Sequence, residues 1–332
     1  MTDWTVLAAY PARIRRKHGA ELIDTLLEMA GPTGRPTAEA KRMLMIDGLR
    51  ERFRPPVRRP FALVAAILTL LIGGAFGAAA GSWLGALTYA TLPEAIPLAQ
   101  QVLPGEVTGS TYGHNLSAGS TVPAGTDTAA AAESARQKLA AEGWRTGPLL
   151  TGTAAGGVLD NTHFSAESEG VHLTVYAYPD ANGVPYLSLA GWPQRTAAYV
   201  PLTVAGALLG LVAGWLTGVA LTHRIREAGR PLPGAVLTAA GLALTIPSAL
   251  GFVTSLVRYL TVTDPLGNGE VLHGDGFAFG PTIDTLRALD LGEGWLLSPG
   301  DLQQLWIFGF GLLAIAAIVA RPSRHADREV MA

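Results

Sequence analysis

Residues 61–87 read FALVAAILTLLIGGAFGAAAGSWLGAL. These 27 residues include no Asp, Glu, Lys, Arg or His. A helix needs about 20 such residues to cross the hydrocarbon core of a bilayer. A buried helix of a soluble protein is usually shorter or shows a polar face. The stretch therefore predicts a first transmembrane helix over 61–87. Three more uncharged apolar stretches follow, at 197–221, 232–257 and 302–320. Composition agrees, since only 15% of the 332 residues are charged, against about 25% in soluble chains. There is no cysteine, which excludes disulfides, thiol catalysis and thiolate zinc sites.

The flanks of these stretches predict an orientation. Arg52, Arg54, Arg58 and Arg59 precede the first, Arg224, Arg226 and Arg230 fill the turn between the second and third, and Arg321, Arg324 and Arg328 follow the fourth. Cytoplasmic segments carry the excess of Lys and Arg. With the N-terminus inside, 18 of the 24 basic residues are cytoplasmic and 16 of the 26 acidic residues are outside. Trp83, Tyr89, Trp192, Tyr199, Tyr259 and Trp306 then fall near the outer interface, where amphipathic rings prefer to sit. The expectation is a multi-pass protein of the cytoplasmic membrane. It has a cytoplasmic domain at 1–55, an extracytoplasmic domain at 104–195, an extracytoplasmic loop at 258–301 and a cytoplasmic tail at 321–332. Residues 1–60 carry twelve Lys and Arg without an apolar core, so they read as a domain rather than a signal peptide.

Two glycine series stand out. Gly73, Gly77, Gly81 and Gly85 lie in the first span, and Gly206, Gly210, Gly214 and Gly218 in the second. A repeat of four places each series along one narrow helix face, where backbones can approach closely. The series predict close packing of these two helices within one chain or, alternatively, a contact between copies in a homo-oligomer. Pro247 removes one backbone hydrogen bond from the third helix and is expected to kink it.

Residues 1–54 read as a small helical unit. Thr2 or Asp3 suits a first cap, Pro11 opens one helix, Gly31-Pro32 closes it, and Thr37 caps the next. Leu22, Leu26 and Leu27 head an apolar face larger than two short helices cover, so that face is expected to dock on something else. The basic run Arg13, Arg15, Arg16 and Lys17 reads as a solvated or headgroup-facing surface. It lacks the context of a recognition helix, and no direct nucleic-acid binding is expected.

The run Tyr10-Pro11-Ala12-Arg13-Ile14-Arg15-Arg16-Lys17-His18-Gly19-Ala20-Glu21-Leu22-Ile23-Asp24-Thr25-Leu26-Leu27-Glu28 resembles the start of the HAAS-type and permease-prefix helical domains of actinobacterial membrane proteins. The resemblance covers about the first 55 residues. It implies a domain that precedes membrane spans and a PadR-type transcriptional regulator as partner. It implies no catalytic residue.

Residues 104–195 predict a small α+β module. Residues 105–126 read as a flexible lead-in rich in Gly, Ser and Thr. Residues 128–142 read as a helix that Gly143 ends, with Trp144 plugging the core. Strand patterns cover 163–167, 171–178 and 186–190, with turns at Glu169-Gly170 and Asn182-Gly183. A hairpin of the first two strands would let His163 and His172 face one another. With Asp160 and His114 they still supply no assigned third metal ligand, so structural histidines are expected. His273, Asp275 and Asp284 lie in the second outer loop and specify no chemistry.

The whole reads as a membrane protein, mostly α, with four transmembrane helices, a small cytoplasmic helical domain and a small extracytoplasmic α+β domain. No nucleophile elbow, phosphate loop, HExxH or paired-carboxylate pattern occurs, so neither enzymatic activity nor a cofactor is expected. The expected function is a sensor or signalling protein that docks a cytoplasmic regulator. The alternative is a permease-like transporter component or a structural envelope protein. Against transport, the spans carry none of the ionisable groups that mark ion pathways.

Overall fold

The computed structural model describes residues 8–29, 37–54, 60–153, 160–181, 184–261 and 299–320. The expected caps at Thr2 and Asp3, the Gly31-Pro32 stop, the Asn182-Gly183 turn, most of the 258–301 loop and the 321–332 tail lie outside them. Four of the described helices are long and apolar enough to cross a membrane. They are α3 (Pro60–Ala86), α6 (Tyr199–Glu227), α7 (Pro231–Thr261) and α8 (Pro299–Val319). The chain divides into two compact units, one of residues 1–74, 209–246 and 305–332, the other of 75–208 and 247–304.

The first unit begins with α1 (Ala12–Glu28) and α2 (Ala38–Phe53). Thr37 caps α2, its hydroxyl accepting from the Ala40 N–H at 3.2 Å, which satisfies one of the orphan donors of the first turn. Tyr10 lies almost fully buried, and its hydroxyl donates to Asp47 at 3.1 Å. That ring sits over Gly48, where an added Cβ would stand 2.8 Å from Tyr10 Cδ2. Arg52 gathers the chain leading into α1, its guanidinium donating to the carbonyls of Ala8, Ala9 and Tyr10. The end of α2 is tied to α6. Trp215 Nε1 donates to the Phe53 carbonyl at 3.0 Å, and His223 Nε2 donates to the Arg54 carbonyl at 3.4 Å.

The second unit holds the α+β domain. Its strands are β1 (Glu106–Tyr112), β2 (Asn115–Thr121), β3 (Arg145–Thr146), β4 (Leu150–Thr153), β5 (Asp160–Ser168), β6 (Val171–Ala181) and β7 (Val184–Pro193). They form one sheet in the order β1-β2-β7-β6-β5-β3, with β4 also on β5, and every pairing is antiparallel. The turn between β5 and β6 places Glu169 at φ 46° and Gly170 at φ 80°, the left-handed pair that matches the twist of a hairpin. One sheet face carries Leu116, Phe164, Leu173, Val175, Leu187 and Leu189, all with no exposed surface. Two helices cover it, α4 (Ala95–Val102) through Leu98, Ala99 and Val102, and α5 (Thr128–Ala141) through Ala132, Ala135 and Leu139. Asp127 caps α5, its side chain accepting from the Ala129 and Ala130 N–H groups at 3.0 Å. Trp144 packs against this core.

Residues 105–126 correct the expectation of a flexible lead-in, since they hold the β1–β2 hairpin. Leu116, Ala118 and Ser120 turn inward in alternation. Two of these three side chains are small or polar, so the alternation is faint in the sequence. Pairing with β7, from Leu116↔Gly191 to Thr121↔Tyr186, supplies the order that local composition does not.

Candidate functional site at the helix ends

Three tyrosines meet within the second unit. Tyr89 lies just beyond the end of α3, Tyr199 opens α6, and Tyr259 stands in the last turn of α7. The rings of Tyr89 and Tyr199 stack with centroids 5.7 Å apart, and Tyr199 meets Tyr259 edge-on at 5.3 Å. The hydroxyls of Tyr89 and Tyr259 share a hydrogen bond of 2.6 Å, and the Tyr199 hydroxyl bonds to Ser82 on α3. The Arg195 guanidinium lies 5.1 Å from the centroid of the Tyr259 ring, within cation–π range. His114, in the turn between β1 and β2, meets the Tyr89 ring edge-on at 5.5 Å. Burial, and next the Tyr259 hydroxyl, push the Tyr89 phenol above its ordinary value, so it stays neutral. Thr88, after α3, bonds to Thr196, before α6, and within the domain the Gln194 N–H donates to Gly170 O at 2.6 Å.

The sequence places these tyrosines near one interface but indicates no contact between them; the structure gathers them, with Tyr199 fully buried and Tyr259 9% exposed. Trp192 is not part of this cluster. It lies buried in β7 against His172, ring centroids 4.7 Å apart. Spacing along the chain cannot signal such convergence, because the tyrosines are 110 and 60 residues apart.

The sheet face turned away from α4 and α5 is polar and aromatic. His163 lies 5.4 Å from Tyr176, which stacks on Tyr178 at 6.1 Å. The hairpin register sets His163 against Tyr176 and His172 against Glu167, so the two histidines do not face one another. His163 Nδ1 bonds to Asn161 Oδ1 at 2.8 Å, and partial burial lowers its pKa. Glu167 is held below the usual carboxylate range first by the Arg145 guanidinium and then by His172, against the opposing effect of its burial. Among the described residues no cluster of His, Asp and Glu suits a metal ion.

The glycine series come together within each unit. In the first, a Cβ added to Gly73 would stand 2.8 Å from Gly214 Cα, with the Gly210 carbonyl nearer still, and one added to Gly218 would meet Ala66 Cα at 2.9 Å. In the second, a Cβ on Gly206 would meet Gly81 Cα at 2.8 Å and crowd the Gly77 carbonyl, and one on Gly85 would press on Tyr199. α7 and α8 approach in the same way, with Gly241 against the Gly309 carbonyl at 2.8 Å. Beside the first of these seams lies a cavity of about 660 Å³, lined by Thr69, Ile72, Gly210, Leu242 and Phe310 among others. Among the described residues Arg224 is the one charged group in its lining.

The three docking leucines separate. Leu26 is buried within the first unit at 6% exposure, Leu22 is half-buried, and Leu27 is 56% exposed. The first two therefore serve the fold of the helical unit, and Leu27 alone of the three presents a free surface.

Compared with protein-family models, with curated proteins and with solved structures, the chain matches none.

Proposed function

We propose that the chain is a non-enzymatic signalling protein of the cytoplasmic membrane, with both termini in the cytoplasm and the α+β domain outside. The state of the outer domain is passed along the membrane helices to the N-terminal helical unit, which holds a helical transcriptional regulator of the PadR type. The observation that carries this reading is the tyrosine junction. It fastens the ends of α3, α6 and α7 to one another and, through His114 and Tyr89, to the tip of the β1–β2 hairpin. A ligand or surface that moves the hairpin thus acts on three membrane helices at once. The positive flanks of the spans support the orientation, and the resemblance of residues 10–28 supports the partner.

The test uses the full chain in living cells. A photo-crosslinking residue at Leu27 is expected to capture a helix-rich DNA-binding protein, and Tyr259→Phe is expected to change the transcripts that protein controls. Capture of an ATPase subunit, or transcripts indifferent to both gene deletion and Tyr259→Phe, would sink the proposal in favour of a transport component. A reporter active only outside is expected to work when fused after Gly113 and to be silent after Ala228. The reverse would overturn the orientation.

A further inference from the structure

The outer face of α2 is apolar without a protein partner among the described residues. Met43, Ile46, Leu49 and Phe53 are 55%, 53%, 48% and 41% exposed. They recur at three- and four-residue spacing, so they share one side of the helix. Arg42 and Arg50 stand exposed among them, with Glu39 one turn before Met43, so cations predominate on this side. The opposite side, through Ala40 and Gly48, is buried against the rest of the helical unit. A solvated helix does not usually line one exposed side with four large apolar side chains, and a core helix would not leave these side chains bare.

The end of this helix is placed by its bonds to α6, within the same unit. The apolar stretch of α6 runs to Leu221. Trp215 lies six residues inside that limit, about 9 Å along the axis at ~1.5 Å per residue. His223 lies just beyond it. The carbonyls of Phe53 and Arg54, held by these two side chains, therefore straddle the level at which α6 passes from apolar to charged. A tryptophan near such a boundary is a common interfacial anchor.

From this placement we infer that α2 is an interfacial helix, whose apolar face enters an anionic lipid surface at the end of the membrane span. The occupant follows from two observations. The end of the helix that bears the face is hydrogen-bonded to α6, which is long and apolar enough to cross a membrane. The exposed cations of the face, Arg42 and Arg50, lie among the apolar side chains, where long stems reach lipid phosphates while the chains below take up hydrocarbon. The inference is independent of the regulator, which the exposed Leu27 on α1 is left to meet.

The chain has no cysteine, so single labels can be placed without further changes. Full-length Ile46→Cys and Phe53→Cys carry a nitroxide in vesicles of phosphatidylcholine and phosphatidylglycerol. Collisions with oxygen, enriched in acyl chains, are compared with those of a water-soluble nickel chelate. Oxygen is expected to dominate several-fold at both positions, and nickel at the exposed control Glu28→Cys. Nickel dominating at position 46 would overturn the inference, as would shielding from both reagents, which means contact with a second copy. The oxygen preference is expected to fall in phosphatidylcholine alone and in an Arg42→Gln, Arg50→Gln double variant. No change in either would overturn the assignment to anionic lipid. A nickel signal at position 46 leaves crosslinking at Leu27 unaffected, so the two proposals fail separately.

Discussion

The seam between α3 and α6 and the core of the α+β domain are packed with opposite kinds of residue. Along α3 the buried positions are mostly small, among them Ala66, Thr69, Ala75, Ala78, Ala79 and Ser82, while Leu63, Val64, Ile67, Leu71 and Leu84 face outward. In the domain the large side chains go inside, with Phe164, Leu173, Leu187 and Leu189 fully buried, and the polar ones line the opposite sheet face. The difference follows from the surroundings. In water, burying a large apolar side chain stabilises by roughly 1.5–3 kcal/mol. Between lipid-embedded helices that term is absent, because acyl chains are as apolar as leucine. What remains is van der Waals contact between backbones, and small residues maximise it.

The contrast predicts opposite responses to volume. Removing volume from the domain core has the largest effect. Phe164→Ala is expected to destabilise the sheet by about 3–5 kcal/mol, read as faster hydrogen exchange across β5, β6 and β7 in the full chain. Exchange at the parent rate would mean that the fully buried ring holds nothing together. Adding volume to the helix seam comes next. Gly206→Leu forces a branched side chain against Gly81 and the Gly77 carbonyl, and overpacking costs about 1–3 kcal/mol. A lower thermal midpoint in detergent is expected. Gly311→Leu is the control, since a Cβ there meets nothing within 4 Å, and its midpoint should stay at the parent value. If Gly206→Leu behaves like Gly311→Leu, the close backbone approach does not stabilise the protein.

The smallest expected effect sharpens the domain side. His163 and Glu167 both have folded pKa values below their ordinary ones. Each therefore binds fewer protons folded than unfolded, and stability rises with pH across the interval between the two values. For His163 the contribution is complete above about pH 6.5 and is lost as pH falls toward the folded value. Glu167 follows the same sign in the carboxylate range. The thermal midpoint is expected to fall on acidification from about pH 7.5, and His163→Gln should remove the part of that loss that begins near pH 6.5. A midpoint with the same slope in parent and variant would show that the histidine is not linked to folding.

Much of the helical layout was readable because its signals are local. Lengths of uncharged residues mark the four long helices, and Thr37 and Gly143 mark particular helix ends. Residues 105–126 were not readable as strands, because Ala118 and Ser120 give β2 little contrast between its two faces. Leu22, Leu26 and Leu27 illustrate a second limit. One apolar pattern holds a buried, a half-buried and an exposed leucine, and only the position of neighbouring α2 separates them.

Which segments suit lipid, and where glycine permits close approach, is written along the chain, since both depend on the chemistry of neighbouring residues along one helix. Which groups meet across long separations depends on how the helices and strands pack. Tyr89, Tyr199 and Tyr259 look alike along the chain, as separate rings near apolar ends. Their stacking and their shared hydrogen bond exist only because antiparallel packing brings one end of α3, α6 and α7 to a common place. The same holds for the face of α2, whose level is set by the two bonds that Trp215 and His223 make to its last turn. Such contacts depend on the relative position of whole helices, which no local pattern of side chains encodes.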